Sequence, residues 1–174
     1  MVTDQTRNAI WQDLWDAERY YRYYSSLSDS YRRRHRLTRF ATLASVLVEA
    51  TISVSYISTG VAGIWATIFL AVIVTLGIVI AILVAWDATS NYAGDAVALS
   101  WVSVDCASLN AEWADLWLDI ESFSIDENEA RSRQRELIRK FNTIALRIDA
   151  DLDEKTNEAS AADAVKVLSE KYAH

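Results

Sequence analysis

Two long apolar runs dominate the pattern of this chain. They occupy residues 40–58 and 61–86 and meet around Gly60. Glu49 is the one charge in residues 40–86, and the second run has none. A run of about 18 or more apolar residues with few charges has the length and polarity of a transmembrane helix. The pattern therefore predicts a two-helix transmembrane hairpin at residues 40–86.

The flanking pattern is also helical. Ile10, Trp11, Leu14, Trp15, Tyr21, Tyr24, Leu27 and Tyr31 recur mostly at steps of three and four, which predicts one long amphipathic helix over residues 3–38 capped by Thr3 or Asp4. Residues 86–123 read as a helix continuous with the second span. Leu99, Val102, Cys106, Leu109, Trp113, Leu116, Ile120 and Phe123 alternate in steps of three and four, a heptad seam that predicts coiled-coil-like helix packing. Ser124 or Asp126 then starts a third soluble helix, over residues 127–152, with Leu137, Phe141, Ile144, Ile148 and Leu152 on its apolar face. Ala162, Val165, Leu168 and Tyr172 give residues 154–174 the weak face of a short helix or a frayed tail. The division is thus 1–39, 40–86, 87–153 and 154–174. The fold class is an all-α membrane protein whose N- and C-terminal cytosolic helices pack as a stalk or bundle. Residues 3–38 and 87–123 leave the same membrane face with opposite charge, so antiparallel pairing is expected.

Composition agrees with long helices. The 174 residues include no proline and four glycines. Net charge is −7, but it is polarised: residues 1–40 hold eight arginines against five acids, and residues 87–123 hold seven acids and no Lys or Arg. Arg32, Arg33, Arg34, Arg36 and Arg39 form a basic patch next to the first apolar run. The turn after that run has no Lys or Arg, so the positive-inside rule places both termini in the cytoplasm. A lipid surface fits this patch better than nucleic acid does, and no direct nucleic-acid partner is expected. Residues 1–30 lack the apolar core and cleavage pattern of a signal peptide.

Candidate chemistry is sparse. Cys106 is the sole cysteine and sits on an apolar seam, so it reads as a packing residue. Asp105, Glu112, Asp115, Asp119 and Glu121 have no His or Cys ligand beside them and read as a solvated or partner-facing surface, with no metal. His35, inside the arginine cluster, reads as a boundary residue. There is no Gly-rich phosphate loop, no nucleophile–base pairing and no cofactor motif.

The first span is different. Thr38, Thr42, Ser45, Glu49, Ser53 and Tyr56 fall within an arc of about 80° on a helical wheel. A charge at the bilayer centre costs at least about 2.5–3.5 kcal/mol. Two helices alone neither bury this stripe nor enclose a pathway. Homo-oligomerisation, as a tetramer or larger, resolves the problem by turning Thr42, Ser45, Glu49, Ser53 and Tyr56 inward as a cation-favouring pore lining. The competing arrangement keeps Glu49 protonated, or hydrogen-bonded to Ser or Thr of a neighbouring helix, in a closed assembly. In the second span, Gly63, Thr67, Ala71 and Thr75, then Gly77, Ala81 and Ala85, are small residues that permit close helix approach.

The Trp/Tyr/Arg-rich helix ends in Tyr20-Tyr21-Arg22-Tyr23-Tyr24 and Tyr31-Arg32-Arg33-Arg34-His35-Arg36. A two-span hairpin with a minimal turn and long cytosolic helices follow. Over roughly residues 8–150 this layout resembles the SLATT proteins, two-transmembrane effectors associated with bacterial nucleotide-signalling and nucleotidyltransferase defence systems. The resemblance implies a non-enzymatic pore effector in the bacterial inner membrane. It would be held inactive until a partner or nucleotide signal reports phage infection, and would depolarise the cell when open. It also implies a nucleotidyltransferase or other sensor docking on the cytosolic helices. The alternative from a different class is a membrane-anchored scaffold that tethers a cytosolic partner without conducting ions.

Overall fold

The structure is a computed structural model that describes residues 2–60, 63–145 and 154–172. Among these residues it is all-helical, with no strand. The order is α1 (Asp4–Thr59), α2 (Ile64–Ser90), α3 (Tyr92–Glu121), α4 (Glu127–Ala145) and α5 (Glu154–Tyr172). Two stretches, Asp4–Ser58 and Ile64–Glu121, contain windows long and apolar enough to cross a membrane.

The helix ends have local causes. Thr3 caps α1 by accepting the Thr6 N–H at 3.4 Å. With no proline to break it, α1 runs unbroken from the amphipathic segment through the first apolar run. Gly60 (φ +56°) and Gly63 (φ +70°) flank the turn to α2 in a conformation glycine takes without a Cβ penalty. Asp126 caps α4, its carboxylate accepting the Glu129 N–H at 2.8 Å.

One expected continuity fails. Residues 86–123 are not one helix: α2 ends at Ser90, and Asn91 takes a left-handed conformation (φ 44°, ψ 29°) before α3 starts. Asparagine tolerates that region better than other side-chain-bearing residues. Gly94 keeps the space clear, since a Cβ there would lie 2.6 Å from the Asn91 side-chain amide.

The chain forms two compact units: Met1–Asp29 with Ala96–His174, and Ser30–Asp95. The first is a four-helix bundle. In it α1 and α3 run antiparallel, through Arg7–Glu121, Trp11–Trp117 (centroids 4.8 Å apart) and Asn110–Glu18 (2.5 Å). These three pairs share one register, so the helices do not slip over about three turns. α4 lies parallel to α1 through Thr6–Glu127 (2.6 Å), Gln134–Asp13 (2.7 Å) and Tyr20–Phe141 (5.0 Å), again in one register. It meets α3 through Arg133–Asp119 (2.5 Å) and Lys140–Glu112 (2.6 Å).

The bundle core contains Ile10, Leu14 and Ala17 of α1, Leu137 of α4 and Leu168 of α5. On the α3 seam, Val102, Cys106, Leu109, Trp113, Leu116 and Ile120 are buried and Leu99 is half-buried. Phe123 departs from the seam. It lies past the end of α3 at φ 55° and is 68% exposed, because the chain has already turned. Residues 154–172, read from sequence as a short helix or frayed tail, form the regular helix α5, which buries Ser160, Ala164 and Leu168 and stacks Tyr172 edge-on to Trp11 at 5.7 Å. Ile148 and Leu152, expected on the third soluble helix, lie outside the described residues, as does Val61.

Candidate functional site

The polar stripe of the first apolar run lies within the second unit. Four contacts there pair rising numbers on α1 with falling ones opposite. They are Tyr31–Tyr92 (5.8 Å between rings), His35–Asp87 (3.3 Å), Glu49–Gly77 and Tyr56–Phe69 (6.2 Å). The two segments therefore run antiparallel.

Burial shows which faces meet. On α2, Ala66, Phe69, Ile73, Leu76, Gly77, Ile80, Leu83 and Asp87 are half-buried, while the residues between them are exposed. That is a three-four seam, the spacing by which one helix lies along another. On α1 the half-buried set includes Thr42, Ser45, Glu49, Ser53 and Tyr56, whereas Leu43, Leu47, Val54 and Ile57 are exposed. All five stripe residues thus lie on the side of α1 turned to α2 of the same chain.

Glu49 is the centre of this arrangement. Its Oε1 lies 3.5 Å from the position a Cβ would take on Gly77. The missing side chain makes a notch, and the carboxylate occupies it. Hydroxyls along the spans are satisfied locally: Thr42 donates to the Thr38 carbonyl at 2.9 Å, Thr51 to Leu47 at 2.8 Å and Thr75 to Ala71 at 2.8 Å. The stripe thus offers one carboxyl group in a column of hydroxyls. Of the small residues singled out in the second span, only Gly77 joins the seam. Gly63, Thr67, Ala71 and Thr75, with Ala81 and Ala85, are exposed and leave the close-approach face open.

The arginine patch is solvent-facing. Arg32, Arg33, Arg34, Arg36 and Arg39 are all exposed, and Arg34 sits over the Tyr31 ring at 5.9 Å. His35 turns instead to Asp87.

The bundle holds further polar and titratable groups, of which the sequence singles out Cys106 and Tyr24 but not Glu18 or Lys140. Glu18 is buried between the Arg22 guanidinium (2.6 Å) and the Asn110 amide (2.5 Å). The Glu18–Arg22 spacing of four was the available signal, but Asn110 is contributed by another helix. Glu127 accepts the Thr3 N–H (2.7 Å) and the Thr6 hydroxyl (2.6 Å), and these bonds hold its carboxyl down to about 2. Burial pushes the Cys106 thiol up to about 11, with Asp105 adding to the shift. Burial likewise raises the Tyr24 phenol to about 12. Hydrogen bonding to Glu112 raises Lys140. The Glu127 and Lys140 shifts come from hydrogen bonds that tie helices together, and the Tyr24 and Cys106 shifts from burial in the core. A groove of about 450 Å³ between α1 and α4 is lined by Gln5, Thr6, Ala9, Arg131, Gln134 and Arg135, without the apolar walls usual in a small-molecule pocket. Among the described residues no cluster of His, Cys, Asp and Glu is arranged to hold a metal.

Compared with models of known families, with curated proteins and with solved structures, the chain matches none.

Proposed function

We propose that this chain is a homo-oligomeric membrane channel that conducts cations when open. In this reading α2 and the second half of α1 form a transmembrane hairpin, and the bundle lies in the cytoplasm. The observation that carries it is Glu49, the one charge in residues 40–86, at the middle of a polar stripe. An apolar anchor has no use for a carboxylate that costs at least about 2.5–3.5 kcal/mol to insert.

Two further features support the reading. The segment before the first span and the segment after the second fold in one unit, as two crossings that return to one side require. The exposed small residues of α2 leave a face on which another copy can approach closely. In the resting arrangement the stripe rests on α2, so opening turns Glu49 out of its notch toward a shared axis. The SLATT-like layout extends the proposal to a bacterial inner-membrane effector that answers phage infection. Its gate would be a sensor, such as a nucleotidyltransferase, docked on the cytosolic helices.

A second reading has its own observation. The stripe already faces α2 of the same chain, and Glu49 already has its notch at Gly77. That favours a closed hairpin tethering a cytosolic scaffold. Planar-bilayer recording of wild type, Glu49→Gln and Glu49→Leu separates the two. The channel reading expects cation-selective current in wild type once it is activated, weaker selectivity in Glu49→Gln and loss of current in Glu49→Leu. No current from wild type under any activating condition, together with no loss of function in either Glu49 variant, overturns it in favour of the tether.

A further inference from the structure

The arginine band has a defined height on the structure. His35 meets Asp87 at 3.3 Å and Tyr31 meets Tyr92 at 5.8 Å. On antiparallel helices a step forward on one is a step back on the other, so Trp86 is level with about residue 36 of α1. Trp65 lies 21 residues before Trp86 on α2. At about 1.5 Å per residue that is about 31 Å, close to the roughly 30 Å hydrocarbon core of a bilayer. Both indoles are exposed, as interfacial tryptophans are. With the two indoles at the two interfaces, Arg32, Arg33, Arg34 and Arg36 fall at or just outside the hydrocarbon boundary. Arg39 falls about one turn inside it, within reach of the surface for a side chain that extends back along the helix.

The chemistry of the band is as specific as its height. All five cations are arginine; the first lysine of the chain is Lys140. A guanidinium presents paired N–H donors that match phosphate oxygens, whereas an ammonium acts as a point charge. Arg32, Arg36 and Arg39 share an arc of about 60° on the helical wheel. Acids are few in the Ser30–Asp95 unit: Glu49 lies in the span, Asp87 is held by His35, and Asp95 follows the Asn91 break. Arg33, Arg34, Arg36 and Arg39 have no carboxylate partner among the described residues.

We propose that this band binds the phosphate groups of anionic phospholipids in the leaflet at the Trp86 end of the hairpin, and thereby sets the depth of α1 in the bilayer. The proposal rests on the membrane reading above. The full chain, reconstituted in bilayers of phosphatidylcholine with or without phosphatidylglycerol, tests it by the lipids retained on extraction, counted by native mass spectrometry. Wild type is expected to retain phosphatidylglycerol over phosphatidylcholine. At about 1 kcal/mol per interfacial arginine, R36Q/R39Q is expected to lower that preference about tenfold or more. Inorganic phosphate in excess is expected to leave retention unchanged, since a free anion lacks the lipid's anchorage. Protein that inserts into phosphatidylcholine bilayers but retains both lipids equally overturns the inference and leaves the membrane reading standing. Retention abolished by inorganic phosphate also overturns it, by making the band a soluble-anion site. Failure to insert into either bilayer removes the membrane reading and the inference with it.

Discussion

Leu116 and Leu118 are two residues apart on α3, yet the structure gives them opposite roles. Leu116 is 0% exposed in the bundle core, while Leu118 is 51% exposed on the far side of the helix. Truncating Leu116 to alanine removes buried methyl groups and leaves a void that close-packed neighbours fill only in part. Such changes cost about 2–5 kcal/mol, and about 3 kcal/mol suits a site enclosed by several helices. That is a large part of the roughly 5–15 kcal/mol that holds a domain folded. For a bundle of about a hundred residues it lowers Tm by about 10–20 °C. Leu118→Ala exposes little new surface and keeps a strong helix former, so its effect stays within about 0.5 kcal/mol. The assay is thermal unfolding of the full chain in mild detergent, followed by tryptophan emission. Five of the seven tryptophans (Trp11, Trp15, Trp101, Trp113 and Trp117) lie in the bundle unit, so the signal reports its melting. Equal losses for the two variants, or a loss below about 1 kcal/mol for Leu116→Ala, would refute the assignment of the seam.

Two other outcomes follow from titrating groups. Glu127, held down to about 2 by Thr3 and Thr6, contributes stability that is present above its unfolded pKa near about 4.3 and is lost as pH falls toward 2. Asp13, raised by burial, has the opposite slope, so Glu127→Gln is expected to flatten the fall of Tm between pH 5 and 2, and an unchanged profile contradicts the linkage. Cys106, 3% exposed and with its thiol at about 11, is expected to resist alkylation at pH 8 in the folded protein and to react fully in denaturant; rapid labelling of the folded protein contradicts its burial.

Periodicity made most of the helices legible. The α3 seam is a run of steps of three and four that only a helix aligns, and Val102 through Ile120 occupy the interior it forecast. Two errors at its ends have a common cause. Asn91 and Phe123 both adopt left-handed conformations, and neither changes the hydrophobic pattern around it. A period records which face is apolar, not where the backbone turns. Asn91 with Gly94 three residues on was a readable break signal, but it sat inside a pattern that ran past it. Of the two expectations for residues 154–174 the helix holds over 154–172, but its face is displaced: Ala162 and Val165 are exposed, and Ser160 and Ala164, small residues that add little hydrophobicity to the pattern, are buried with Leu168. Partners across helices, such as Asn110 for Glu18 and Thr3 for Glu127, depend on a register that only the fold supplies.

The same limit governs the polar stripe. Sequence places Thr42, Ser45, Glu49, Ser53 and Tyr56 on one face of α1, and the inference of a pore rests on two helices being unable to bury that face or enclose a pathway. In the structure α2 half-buries it, presenting Gly77 to Glu49 and Phe69 to Tyr56. Gly77 gives the carboxyl group space but offers no side-chain donor or cation. An ionised carboxylate in such a notch keeps most of its insertion cost, and a glutamine of the same shape would fit it for less. The proposed charge-specific role of Glu49 therefore does not depend on the stripe lacking a neighbour in its own chain; the stripe is half-buried against α2. Under the proposed channel reading, what changes is the order of events: α1 has to turn against α2 before copies of Glu49 can face one another.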